Sequence, residues 1–237
     1  MKKTLLIVGL LSGAVGAFAQ GTLNWNSQSD WLISVYSPDV NTPGTVFSGN
    51  SPQDVPAGST DYTGGWIGGG STSPGTGVGP TPSSFNGINY QNAANFEAGL
   101  YVDLSSSAVF TDISTGSPIA TTTISDGALV GVASLATVPG IAGGTLVNVG
   151  LAAWYTDGGL YGSYAAASGA NQPAGYSISS GQLALGTQTG TPVTIGPGLG
   201  LNSFSLAQAT TSVPEPSTIA LGVIGASTFL LRLRRKQ

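Results

Sequence analysis

From Phe96 to Leu104 the chain alternates. Phe96, Ala98, Leu100, Val102 and Leu104 interleave with Glu97, Gly99, Tyr101 and Asp103. A period of two predicts a half-buried strand, with Glu97 and Asp103 on its outward face. The same reasoning finds a strand over Thr145–Thr156, where Val147, Val149, Leu151, Ala153 and Tyr155 share a face. It ends at Asp157-Gly158-Gly159 and is followed by Leu160–Ala165, which reads as a second arm; Ser163–Ala170 also reads as a short helix. Ile119–Ser125 and Ala128–Val138 flank Asp126-Gly127, a favoured hairpin turn pair. Leu23–Tyr36 reads as an opening strand pair and Leu201–Ala207 as the last strand. Between them, Ser37–Asn92 is rich in Pro, Gly, Ser, Thr and Asn, and Gly64–Pro82 predicts a long low-complexity surface loop. Short strands with Gly-rich turns predict an all-β domain, a single jelly-roll-like β-sandwich over residues 20–207.

Both ends depart from this pattern. Lys2 and Lys3 precede an apolar run from Thr4 to Phe18, and Ala17-Phe18-Ala19 has the small-x-small form that signal peptidase accepts. Residues 1–19 therefore read as a signal peptide, with Gln20 starting the mature chain; the run is short for a membrane anchor of about 20 residues. After a linker over 208–212 come Val213-Pro214-Glu215-Pro216, an apolar segment from Ser217 to Leu233 broken only by Arg232, and the basic tail Arg234, Arg235, Lys236. As a helix that segment spans roughly 26 Å, close to the ~30 Å hydrocarbon core of a bilayer, and Arg232 can snorkel. Basic flanks resist translocation, which leaves 20–212 outside the cytoplasmic membrane.

This C-terminal order closely resembles the PEP-CTERM sorting signal of Gram-negative bacteria. The resemblance covers 213–237 and places the family's recognition residues on Pro214, Glu215 and Pro216, with Val213 and Ser217 beside them. It implies processing near this motif by an exosortase, a membrane cysteine protease-transpeptidase, and association with an exopolysaccharide or biofilm matrix. Each proline fixes its own φ and biases the preceding residue toward extended backbone, so Val213–Ser217 reads as a pre-extended strip suited to a protease cleft.

Charge sharpens the picture. All six basic residues lie in the two terminal segments, so residues 20–212 carry nine carboxylates and no basic side chain, a net charge of −9. Phosphate neutralisation needs Lys or Arg, which argues against a nucleic-acid partner. No ion pair between side chains can form inside the domain. With no His, Cys, Lys or Arg there, Ser-His-Asp and Cys-His catalysis, Schiff bases and His-ligated zinc are excluded. Charged residues are 7% of the chain against about 25% ordinarily, which fits a polar, uncharged extracellular surface rather than a disordered one.

Three chemistries survive. Asp39, Asn41, Asp54 and Asp61 bring oxygen ligands for Ca²⁺ into the long loop, although turn residues explain them as well. Glu97 and Asp103 offer carboxylates, but six strand residues separate them by roughly 20 Å, beyond the ~5–9.5 Å of a glycosidase pair. Trp25, Trp31, Trp66 and Trp154 are candidates for stacking on sugar rings; Trp66, in the Gly-rich loop, is the best placed, and the others read as core or edge packing. The reading is a non-enzymatic surface or matrix protein needing no cofactor, with a surface glycan-binding module as the alternative and a carboxylate-dependent glycan hydrolase behind it.

Overall fold

The computed structural model describes residues 20–25, 32–69, 86–106, 109–125, 128–129, 136–187, 193–195 and 197–208. The expected signal peptide, Trp31, residues 70–82 of the expected loop, Asp126 and Gly127 of the expected turn, residues 209–212 and the expected sorting segment lie outside them. The described chain is all-β, with thirteen strands and two short α-helices, Asp112–Thr115 and Tyr164–Gly169. Among the described residues no helix is long and apolar enough to cross a membrane.

Two sheets carry the architecture. In the first, β1 (Gln20–Trp25) pairs with β7 (Ala136–Ala142) on one side. On the other it meets β11 (Gly186–Thr187) antiparallel and then β12 (Val193–Ile195) parallel. In the second, β8 (Leu146–Tyr155) runs antiparallel to β3 (Phe96–Asp103) in register from Phe96 opposite Tyr155 to Asp103 opposite Asn148. The other edge of β8 takes β9 (Ala174–Ile178) and β10 (Leu183–Ala184), and β4 (Ala120–Thr122) adds to β3. Two small pairs complete the set: β2 (Val35–Tyr36) with β13 (Phe204–Ser205), and β5 (Ile124–Ser125) with β6 (Ala128–Leu129).

One apolar cluster joins the two sheets. Leu23 and Trp25 of β1, Val138 of β7 and Ile195 of β12 share it with Phe96, Ala98, Leu100 and Val102 of β3 and with Val147, Val149, Leu151 and Ala153 of β8. These are the residues that the alternation selects, so the inward register of both long strands follows from period two.

The outward face of β3 departs from expectation. Gly99 and Tyr101 are buried, and Glu97 and Asp103 at the strand ends are half-buried. A second cluster covers this face: Tyr101, Ala152 and Trp154 pack with Ile113 and Ala167 of the two helices and with Ala174. Glycine lets the cover approach closely. A Cβ on Gly150 would lie 3.1 Å from the Phe110 ring, so the bare backbone is the seat for Phe110 and Ile113. Leu104, expected inward, stands one residue past the strand and is 59% exposed.

Three strand pairings also differ. The opening pair is not a pair: β1 and β2 belong to separate sheets. In the expected Ile119–Val138 hairpin the described rungs are Ile124 with Leu129 and Ser125 with Ala128, while β4 joins β3 and β7 joins β1. Leu160–Ala165 is no return strand. Asp157, Gly158 and Gly159 all have positive φ, which turns the chain away from β8. The partner is β9, reached after the Tyr164–Gly169 helix. Ser163 starts that helix with its Oγ accepting from the Ala166 N–H at 3.2 Å, and Ala165–Ala167 favour it. Finally, the first residues of the expected surface loop are not on the surface: Ile67 is fully buried and its N–H donates to the Val35 carbonyl.

Candidate functional site

The carboxylates expected to collect a cation are occupied separately. Asp39 Oδ1 accepts from the backbone N–H groups of Asn41 and Thr42 at 2.8 Å each, and Oδ2 from the Thr63 hydroxyl at 2.5 Å. Burial alone would raise its pKa, but the Thr63, Thr42 and Asn41 hydrogen bonds bring it below the ordinary carboxylate range. Asp54 Oδ1 accepts from the Tyr36 hydroxyl at 2.9 Å and Oδ2 from the Ser51 N–H at 2.6 Å. Asn41 and Asp61 are exposed. Asp39, Asp54 and Asp61 do not come together, and no group of three or more such ligands able to hold a metal occurs among the described residues. In a domain without cations, main-chain N–H and hydroxyl donors take the place that Lys and Arg usually fill.

Trp66 belongs to a packed aromatic group rather than standing free in a loop. Tyr36 stacks on Tyr62 with ring centres 3.8 Å apart and planes within 4°, and Trp66 tilts against Tyr36 at 6.4 Å. The Trp66 ring is half-buried, and its backbone bridges to Tyr36. The Tyr62 hydroxyl donates to the carbonyls of Gly49 and Ser203, tying this segment to the C-terminal strand. Burial pushes both phenols well above their ordinary pKa, so they remain neutral donors. Trp25 and Trp154 are core residues; the Trp154 indole donates to the Tyr161 carbonyl at 3.0 Å.

Glu97 and Asp103 sit at opposite ends of β3, facing Trp154 and Asn148 in the register. Glu97 lines a cleft of about 690 Å³ with Phe96, Thr123 and Thr156 and is the one carboxylate in that lining among the described residues. Asp103 is held by its neighbours. Burial works to raise it, but the N–H and hydroxyl of Thr111 and the N–H of Ser105 bring its pKa from the ordinary 3.8 to about 2.

A second cleft, of about 540 Å³, escaped the sequence reading. It opens between the loop at Thr45, the Tyr164–Gly169 helix and β9, and its polar and aromatic lining is Thr45, Tyr164, Ser168, Asn171, Gln172 and Tyr176. Tyr164 and Tyr176 meet edge to face, 5.6 Å apart at 87°. Tyr176 is 36% exposed, and Asn171 is held in the left-handed region at φ 57°. The signal in the sequence is the polar set Ser168, Asn171 and Gln172 at the end of a tyrosine-led helix. That Tyr176 stands across from it depends on β9 returning beside β8.

The sorting residues Val213, Pro214, Glu215, Pro216 and Ser217, the basic Arg232, Arg234, Arg235 and Lys236, and the signal-peptidase residues Ala17 and Ala19 lie outside the described residues. No protein-family model, no curated protein and no solved structure matches this chain.

Proposed function

We propose that this chain is an exported surface or extracellular-matrix protein, delivered by its N-terminal signal and processed at its C-terminus by an exosortase. Its ectodomain is a jelly-roll-like β-sandwich with a structural rather than catalytic role. The observation that carries the reading is the order of features at the C-terminus: Val213-Pro214-Glu215-Pro216-Ser217, an apolar segment to Leu233, then Arg234, Arg235 and Lys236. The distribution of charge supports it. Every basic residue lies at one of the two ends, where Lys2 and Lys3 start export and Arg232 to Lys236 stop it. Signal peptidase and exosortase act on the chain in turn, and the C-terminal helix holds it in the membrane between the two events. An exopolysaccharide matrix is the surrounding that the resemblance suggests. A domain with no His, Cys, Lys or Arg is poor in catalytic groups and suits that passive role.

Intact mass of the protein from its native host, with and without the exosortase, tests this. The expected mass runs from Gln20 to a residue within Val213–Ser217 only when the enzyme is present, and extra mass at that end reports an attached group. A mass that still includes Arg234–Gln237 in both strains would make the protein a permanent tail anchor and end the processing reading.

A further inference from the structure

We propose that the cleft between the Thr45 loop, the Tyr164–Gly169 helix and β9 binds an uncharged oligosaccharide. It is independent of C-terminal sorting, since the described residues that line the cleft lie between 44 and 207.

Charge narrows the ligand first. Among the described residues no Asp, Glu, Lys or Arg lines the cleft, and no basic residue exists anywhere in 20–212. An anion finds no counter-charge and meets a domain of net charge −9; a cation finds no carboxylate in the wall. The lining favours a neutral molecule with both apolar and hydroxylated surfaces. Tyr164 and Tyr176, set at right angles, present ring surface suited to the C–H face of a sugar. Beside them stand two side-chain amides. Among the described residues neither the Asn171 nor the Gln172 amide has a hydrogen-bond partner, so each offers a donor pair and an acceptor to vicinal hydroxyls. Ser168 and Thr45 add hydroxyls.

The walls are fixed before any ligand arrives. The Gln208 N–H donates to the Pro43 carbonyl at 2.6 Å and the Ser205 N–H to the Phe47 carbonyl at 2.9 Å, pinning the loop that carries Thr45. Asn171 is held left-handed at the end of the helix by its N–H bond to the Ser168 carbonyl. Little ordering entropy remains to be lost on binding. A peptide fits less well. Extended peptides dock by adding to an open strand edge. Here β9 is paired with β8 on one side. On the other, Ala174 and Ala207 exchange two backbone hydrogen bonds, and Gly175 packs under Ser205.

The test uses the protein purified from its host and a panel of neutral hexasaccharides, α- and β-linked, of glucose, mannose, galactose, xylose and N-acetylglucosamine, with oligogalacturonate as the acidic control. Tyr176→Ala removes an exposed ring, and Asn171→Gly removes the amide at a backbone conformation that glycine prefers. Thermal melts of both variants check that the fold is kept. The expected result is binding of at least one neutral hexasaccharide, weakened about tenfold or more in either variant. No neutral binding across the panel, binding of the acidic control alone, or neutral binding weakened less than that in both variants overturns the proposal.

Discussion

The Trp154 ring lies against the bare backbone of Gly99, so that a Cβ placed on that glycine would be 2.9 Å from Cη2 of the indole. The two residues occupy neighbouring strands on the face that helices cover, and Pro118 Cβ crowds the same position at 2.6 Å. The second layer of the domain is thus seated on a missing side chain.

Gly99→Ala should overpack this face and destabilise the domain by about 1–3 kcal/mol, read as a lower melting temperature. The cost should shrink in a Trp154→Phe background, because the shorter ring relieves one of the two contacts. Equal costs in both backgrounds would show that Pro118 alone sets the limit.

Tyr36→Phe removes the hydroxyl that donates to Asp54 and meets Ser51 Oγ at 2.7 Å, leaving a buried carboxylate short of a donor. The expected loss is about 1–3 kcal/mol in chemical denaturation, with the Tyr62 stack retained. A change within about 0.5 kcal/mol would mean that the Ser51 N–H alone satisfies Asp54.

Asp103 makes stability depend on acid. Its pKa in the fold, about 2, lies below the ordinary 3.8, so the fold favours the ionised form. That contribution is complete above the ordinary value and is lost as pH falls through the folded one. Asp112 is raised, by burial and then by Asp103, so its contribution has the opposite sign. Comparing wild type with Asp103→Asn isolates the first effect: the variant should be the less stable at about pH 6, with the gap closing by about pH 2. A gap that does not change with pH would sink the assignment.

Ser163→Ala deletes the cap of the Tyr164–Gly169 helix and should cost about 1 kcal/mol. Amide exchange should quicken first at Ala166, whose N–H loses its Ser163 Oγ acceptor, and then at Ala167, whose N–H donates to the Ser163 carbonyl and whose side chain packs in the Trp154 cluster. Unchanged protection at Ala167 would place the helix under tertiary control alone.

Legibility in the sequence follows the reach of the interactions. The face of β8 that carries Val147 to Ala153, the alternation of β3 and the short helix were readable, because each is written in adjacent residues. The second cover was not. Period two marks one face as apolar, but Gly99, Tyr101 and Gly150 do not announce that Trp154, Ile113 and Phe110 will close over them. The split of Ile119–Ser125 between two sheets was hidden for the same reason: Thr121 pairs with Gly99, more than twenty positions away. At the candidate sites, the carboxylates were easy to find and their partners were not. The Thr63 bond to Asp39 and the Tyr36 bond to Asp54 span a loop with no regular period.

The way this domain holds its acids sets how it meets its surroundings. Asp39, Asp54 and Asp103 are anchored by N–H and O–H donors rather than by cations, and no ion pair inside the domain is there for salt to weaken. What salt does screen is the repulsion among nine carboxylates. A fold built in this way gains from added salt and loses little in its short hydrogen bonds, so its stability should rise, not fall, with ionic strength.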